Sequence, residues 1–345
     1  MSVLDIFNAD PFSIVSMTKR INDLPFIPGQ IGSMGVFAEE PIMTTTALIE
    51  RDGFILGLVA PTPRGGPGET APKDPRNMLA VPVPHYQRDD AVYADEVQGV
   101  RAFGTDNTAA EATLATIEQL IDRKMLKHTK AFDATLEHQR AGALAGLVVD
   151  KNGVTLFDIA AGFGVALPAT LDWALGTATT SIRDKVLALR LAVEAALDGI
   201  PYSGIRVLAG TTFFTKLQGH PNVEKFFVNY PGAKDYIQTS IDKFEFGNLV
   251  FERYRTGAQA TAALATPAPF VPDNGARIII EGVPDLYMTF FAPADYIETV
   301  NTPGLPRYSK QFRMLNDKGI TMELQTNAMS ICTRPKALLS LTTSN

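Results

Sequence analysis

Leu114, Ile117, Ile121, Met125, His128, Phe132 and Leu136 are separated by steps of three and four, which places them along one stripe of a 3.6-residue period. Glu118, Asp122, Lys124, Lys127, Lys130, Glu137 and Arg140 fall mostly off that stripe, on a polar face. Asp106, Asn107 and Thr108 offer side-chain oxygens to a first turn, and Thr108 with Glu111 forms a capping box. Gly142 and Gly146 supply stops at the other end. The chain has 23 prolines and none between Thr105 and Gly146. The pattern therefore predicts one helix over about 106–145. At ~1.5 Å per residue it would be roughly 50 Å long, too long to hide inside one ordinary globule.

The chain before that helix has a different texture. A short helical pattern (Val3, Leu4, Phe7, Ile14, Val15) leads into Leu24–Gly32, where two prolines and two glycines predict an extended arm. Thr44–Ile49 and Phe54–Val59 are strand-like runs around Asp52-Gly53, a turn dipeptide. Ala60–Arg76 is rich in proline and glycine, and Met78–His85 reads as a returning edge strand. Residues 44–85 are thus expected to form one long two-stranded excursion.

After the long helix, Leu147–Phe157 is an apolar run, an Asn152-Gly153 turn and a second apolar run, a hairpin signal. Ser181–Leu197 carries Val186, Leu189, Val193 and Leu197 on one helical face, closed by Gly199 and Pro201. A short strand is expected at Ile205–Leu208 and two short helices at Thr211–Leu217 and Val223–Val228. Phe244–Tyr254 and Arg277–Gly282 read as strands separated by an Ala- and Pro-rich loop, and Ile320–Leu324 with Ala328–Cys332 as a closing strand pair. The fold class is α+β, with a compact lobe over about 176–291.

Composition narrows function mainly by exclusion. With 345 residues, 46% hydrophobic and 20% charged, the chain can bury two real cores. A net charge of −6 and the absence of any basic run argue against a dedicated nucleic-acid surface. The single cysteine, Cys332, excludes an intramolecular disulfide and reads as a buried small hydrophobe. Asp5, Asn8 and Asp10 replace the basic start of a signal peptide, and no apolar run reaches the ~18 residues of a membrane span. No two of His85, His128, His138 and His220 have metal-protease spacing, and His128, on the apolar stripe, reads as a packed or hydrogen-bonded core histidine. Arg64-Gly65-Gly66-Pro67-Gly68 lacks the lysine and hydroxyl of a phosphate loop, and Gly162-Phe163-Gly164 lacks a third glycine. Asp5, Asp10, Asp89, Asp90, Asp95 and Asp273 are scattered acids that a fold could pair, with no nucleophile elbow to accompany them. Neither cofactor nor metal is implied.

Several segments together resemble a known family. Ile21-Asn22-x-Leu24-Pro25-Phe26-x-Pro28-Gly29-x-Ile31-Gly32, Thr44-Thr45-Thr46 and Pro63-Arg64-Gly65-Gly66-Pro67-Gly68 are similar to the opening of the major capsid protein E family of tailed bacteriophages. Leu136-Glu137-His138-Gln139-Arg140-x-Gly142-Ala143-Leu144-x-Gly146, the stretch Phe291–Asn301 and Ile331-Cys332-Thr333-Arg334-Pro335 continue the resemblance over essentially the whole chain.

The resemblance implies the Hong Kong 97-type capsid fold: an N-terminal arm (1–43), an extended hairpin loop (44–90), a peripheral domain (91–175) with a spine helix (106–145), an axial domain (176–291), and a return to the peripheral domain (292–345). It implies a structural role without catalysis. Copies would form hexamers and pentamers that close into an icosahedral shell around packaged double-stranded DNA, assembled in the bacterial host cytoplasm. Expected partners are copies of the chain, a separate scaffolding protein (no long charged N-terminal extension could act as one), a portal and a decoration protein, with only non-specific proximity to DNA and no membrane. The candidate assembly interface comprises Arg64, Glu69, Lys73 and Arg76 of the loop tip with Leu24 and Phe26 of the arm. Two alternatives stand beside this: an encapsulin-like compartment on the same fold, and an enzyme, which would need a deep polar pocket inside one subunit.

Overall fold

The computed structural model describes residues 14–23, 29–52, 76–97, 110–228, 242–255, 257–315 and 318–344. The side chains of 50–52, 76–77 and 110–118 lie outside that description, as do the expected capping residues 106–108, Asp5, Asp10 and the tip 60–75.

The long helix is there as one piece, Ala110–Ala145, 36 residues. Its far end is set by two glycines with different jobs. Gly146 has φ +86°, a left-handed stop, whereas Gly142 lies within the last turns, where a Cβ would stand 2.9 Å from the Leu147 carbonyl oxygen. The chain can double back tightly because that Cβ is missing.

Two main sheets flank the helix. The strands, in chain order, are β1 (Ala38–Pro41), β2 (Thr46–Asp52), β3 (Arg76–Pro82), β4 (His85–Tyr93), β5 (Leu147–Val149), β6 (Thr155–Asp158), β7 (Leu171–Asp172), β8 (Gly204–Ala209), β9 (Lys243–Phe246), β10 (Leu249–Arg253), β11 (Gly275–Glu281), β12 (Tyr287–Phe291), β13 (Tyr308–Arg313), β14 (Gly319–Cys332) and β15 (Ser340–Thr342). A five-stranded sheet has the order β1-β12-β14-β13, with β4 also paired to β14; a six-stranded sheet runs β7-β15-β11-β8-β10-β9. β2–β3 and β5–β6 are separate two-stranded ladders. The α+β class is the observed one.

The first sheet and the long helix share a core. Ile121, Met125 and Phe132 of the stripe pack with Val92, Met322 and Leu324 of the sheet and with Met17 and Ile21 of a helix at Ile14–Asp23. Fully burying such side chains contributes ~1.5–3 kcal/mol each. The larger core lies over the second sheet, where Val186, Leu189, Val193 and Leu197 form the buried face of the helix Ile182–Leu197, as its spacing predicts.

Several expectations are corrected. Glu137 and Arg140, assigned to the polar face, are buried, because the N-terminal segment packs over the last turns of the helix and brings partners for both. The extended reading of Leu24–Gly32 fails at its end: Gln30–Ser33 is a turn of helix, and 24–28 lie outside the described residues. Asp52, expected at a turn, continues β2 and pairs with Arg76, so the described partner of 46–52 is 76–82; the expected run 54–59 lies outside the described residues. Phe244–Tyr254 is two strands, because Gly247 (φ +61°) and Asn248 (φ +60°) make the tight turn of a hairpin. The closing strand pair is a single strand, β14, 14 residues long. His85–Tyr93 leaves the excursion and pairs with Gly319–Asn327. β12 lies in the five-stranded sheet, and β15 joins β11 and β7, so both main sheets draw strands from beyond the expected 176–291 and 292–345 divisions.

Candidate functional site

None of the six side chains expected at the assembly interface is described: Leu24, Phe26, Arg64, Glu69 and Lys73 lie outside the described residues, and Arg76 contributes only its backbone to β3. What can be placed is the root of the excursion that carries four of them.

That root is a ladder with two unlike faces. Alternation puts Ala47 and Val81 on the inner face, where both are fully buried in the larger core. The opposite face carries Leu48, Ala80 and Met78; Leu48 pairs with Ala80, Met78 lies two residues before Ala80 on the same strand, and Leu48 and Met78 are 56% and 61% exposed. Met43, just before the ladder, is also exposed. Burying one face on the body leaves Leu48, Ala80 and Met78 turned to solvent, between the Thr46 and Glu50 positions of the same face, in a two-stranded sheet that is marginal without further cover. Ile297 (90% exposed) and Val300 are also exposed, flanking Glu298, which pairs with Lys310 at 2.8 Å.

Charged groups inside the molecule fasten elements to the long helix. Asp133 and Arg307 form a buried ion pair at 2.5 Å, and Arg307 also donates to the Ile21 carbonyl. Asn22 donates to the Arg307 carbonyl at 3.0 Å, so the Ile14–Asp23 helix is tied to the chain entering β13. Arg140 pairs with Glu39 at 2.9 Å, its guanidinium 5.5 Å from the centre of the Phe37 ring. His128 meets Asp90 of β4 at 2.7 Å, and Lys124 holds Glu96 at 2.6 Å and stands 3.7 Å from Asp90. The core-histidine reading of His128 is correct.

Burial acts to raise the Asp90 pKa, but the hydrogen bonds from His128 and the Ala91 N–H, with the Lys124 charge, hold it below the ordinary carboxylate range. A carboxylate held low in the folded state gives stability that is present above its unfolded pKa and lost as pH falls through the folded value. Asp90→Asn is expected to flatten that acid limb, which pH-dependent denaturation checks.

A cavity of about 290 Å³ beside Asp133 and Arg307 is lined largely by apolar atoms, and its three charged side chains are in ion pairs, Asp133 with Arg307 and Glu39 with Arg140. Burial pushes the Cys332 thiol up to about 12, which keeps it protonated and unreactive. Burial lowers the His138 pKa, and its ring meets that of Phe270 at 4.9 Å between centres and a tilt of 59°. Among the described residues no group of His, Cys, Asp and Glu could hold a metal ion, and no helix is long and apolar enough to cross a membrane.

Comparison with known proteins supplies the context. The family model of phage major capsid protein E matches residues 13–343. The major capsid protein of Pseudomonas phage KPP10 is 26% identical over 95% of this chain and 96% of its own length. That of Salmonella phage Felix O1 is 24% identical over 96% of each. Among solved structures, a putative capsid protein of an E. coli CFT073 prophage superposes with a TM-score of 0.51 at 11% identity, covering 99% of this chain and 98% of that one. The capsid of a native GTA particle gives 0.50 at 11% identity over 90% and 89%.

Proposed function

Because the chain belongs to the phage major capsid protein E family, we propose that it is the subunit of a phage head shell and that the outer face of its β2–β3 ladder is covered there by an adjacent copy. The role is structural; this is a capsid family and not an enzyme family, and its members' fold is the Hong Kong 97-type shell fold. The chain's place is the virion shell.

The observation that carries the interface is the two-faced ladder. One side buries Ala47 and Val81 at home, and the other offers Leu48, Ala80 and Met78 to solvent. An obligate assembly hides such surface between subunits, where the fully buried centre of a contact is more apolar than the rest of the surface. In this reading residues 1–43 act as an arm and 44–84 as the loop that reaches over a neighbour. The long helix is the spine of a peripheral domain built on the five-stranded sheet, and the six-stranded sheet forms the axial lobe of hexamers and pentamers. Arg64, Glu69, Lys73 and Arg76 at the tip, with Leu24 and Phe26, complete the contact. A scaffolding protein, a portal and a decoration protein are the expected partners, with assembly in the host cytoplasm around space for double-stranded DNA. The net charge of −6 suits an interior that does not grip its DNA.

Leu48→Glu with Met78→Glu tests the interface. Both positions are exposed in the single chain, so the pair is expected to change subunit stability by about 1 kcal/mol or less. Shell yield, read by sedimentation velocity, should fall at least tenfold. Wild-type yield from the double variant would remove the ladder from the interface.

A further inference from the structure

Three elements converge on one carboxylate near the end of the long helix. Glu137 is buried, and its Oε1 accepts from the Ile31 N–H at 2.8 Å while Oε2 accepts from the Gly32 N–H at 3.0 Å. It thus satisfies open donors of the Gln30–Ser33 turn, as a capping carboxylate does. The Tyr254 hydroxyl, just after β10, donates to the same Oε1 at 3.0 Å. Burial and the neighbouring Glu137 charge both raise the Tyr254 pKa, which keeps that donor in place.

The same turn is gripped from the other side. Gln30 donates to Glu252 Oε1 at 2.7 Å and to the Arg253 carbonyl at 2.9 Å, and accepts from the Arg255 N–H at 2.9 Å. Glu252 is in turn held by Arg206 of β8 at 3.0 Å. Gly29 completes the fit, since a Cβ there would fall 2.1 Å from Glu137 Cδ.

We infer that Glu137 is a positioning residue that locks the Gly29–Gly32 turn between the long helix and the six-stranded sheet, and so sets the angle between the two sheets. The long helix packs on the five-stranded sheet through Ile121, Met125 and Phe132. Tyr254, Glu252 and Arg253 belong to the other sheet or its immediate exit. The two sheets also meet in the larger core, where Ala141 and Leu144 of the same helix pack with Tyr287 and Ile331 of one sheet and Phe251 and Ile278 of the other; the wedge adds directional hydrogen bonds to that joint and so fixes its tilt. In a closed shell that tilt is repeated in every subunit, and shell diameter reads it out. The diameter argument rests on the shell reading above; the wedge itself does not.

Glu137→Gln and Tyr254→Phe provide the test. The glutamine keeps the volume but offers an amide N–H where one of the two backbone donors needs an acceptor. In the purified E137Q subunit, hydrogen exchange at Ile31 and Gly32 should rise at least tenfold over wild type, with amides of Ile121–Phe132 unchanged. Y254F should leave Ile31 and Gly32 protected, because it breaks only the bond from Tyr254 to Glu137 and leaves both the carboxylate on the turn and the Gln30 contacts to Glu252, Arg253 and Arg255 in place. Shells of both variants should shift or broaden in diameter. Val193→Ala, a truncation on the buried face of the helix Ile182–Leu197 that removes none of the wedge's hydrogen bonds, serves as a control at a comparable loss of thermal stability and should keep the wild-type diameter. Unchanged Ile31 and Gly32 exchange in E137Q overturns the wedge. Normal shell diameters in both variants, or an equal shift in V193A, overturn its role in setting the angle. Absence of shells from wild-type protein would instead sink the shell reading, and the exchange data would still decide the wedge.

Discussion

Replacing Ile121 with proline is expected to abolish soluble, assembly-competent protein. Ile121 sits inside the unbroken helix Ala110–Ala145 and is almost fully buried against the five-stranded sheet. Proline there removes the N–H donated to residue 117 and drives its ring into the preceding turn, at ~3 kcal/mol or more. The cluster of Met17, Ile21, Met125, Met322 and Leu324 also loses a packed side chain, on the order of 1–3 kcal/mol. Together these rival a large part of the roughly 5–15 kcal/mol that holds a typical domain folded. Lys127→Ala, exposed on the same helix, is the control and should stay within about 0.5 kcal/mol of wild type. Denaturant midpoints and shell yields measured side by side check the pair; equal behaviour would mean that helix continuity does not matter.

Arg307→Ala should be nearly as damaging for a different reason. Asp133 and Arg307 are both buried and 2.5 Å apart, so truncating the arginine strands a carboxylate in a site that water reaches poorly. Breaking a buried pair in this way costs ~3–5 kcal/mol. The same change releases the Ile21 carbonyl, and with it the Ile14–Asp23 helix. Removing both charges with volume kept, Asp133→Leu with Arg307→Met, is expected to recover most of that loss, because neither ion then needs desolvation. The double-mutant cycle, by urea denaturation, should give a coupling of about 2 kcal/mol or more. Additive losses would show that the two groups act independently.

How legible the chain is depends on whether the local pattern and the tertiary demand agree. They agree for the long helix, the Ser181-capped helix, whose Ser181 Oγ accepts from the Asp184 N–H, and the Asn152-Gly153 hairpin, where Asp150 and Gly153 complete the turn. They part at β14. Gln325, Thr326 and Asn327 interrupt the apolar run, which invites a break, yet all three are buried and used: they bond to Asp295, the Pro306 carbonyl and the Pro293 carbonyl, fastening the 292–307 segment across the strand. Burial of polar groups with partners cannot be told from exposure by period alone. Glu137 and Arg140 hid for the same reason, since their partners lie about a hundred residues earlier.

The Gly247-Asn248 turn was different. A two-residue Gly-Asn between strand-like runs is a direct signal of a tight hairpin, and the uninterrupted reading of Phe244–Tyr254 passed over it. At the proposed assembly surface the family resemblance points to the loop tip and the arm, and to neither Leu48 nor Met78. Their significance appears only once the ladder register shows Ala47 and Val81 turned inward and these two turned out.

The account is tested most directly by cryo-electron microscopy of the particles formed when the chain is expressed in bacteria, alone and with a candidate scaffolding protein. It predicts closed icosahedral shells whose wall contains this subunit, with the Ala110–Ala145 helix as a continuous rod of density and the outer face of the β2–β3 ladder, at Leu48 and Met78, covered by the adjacent copy. A chain that stays a monodisperse monomer under every such condition, or shells in which Leu48 and Met78 face solvent, would contradict it.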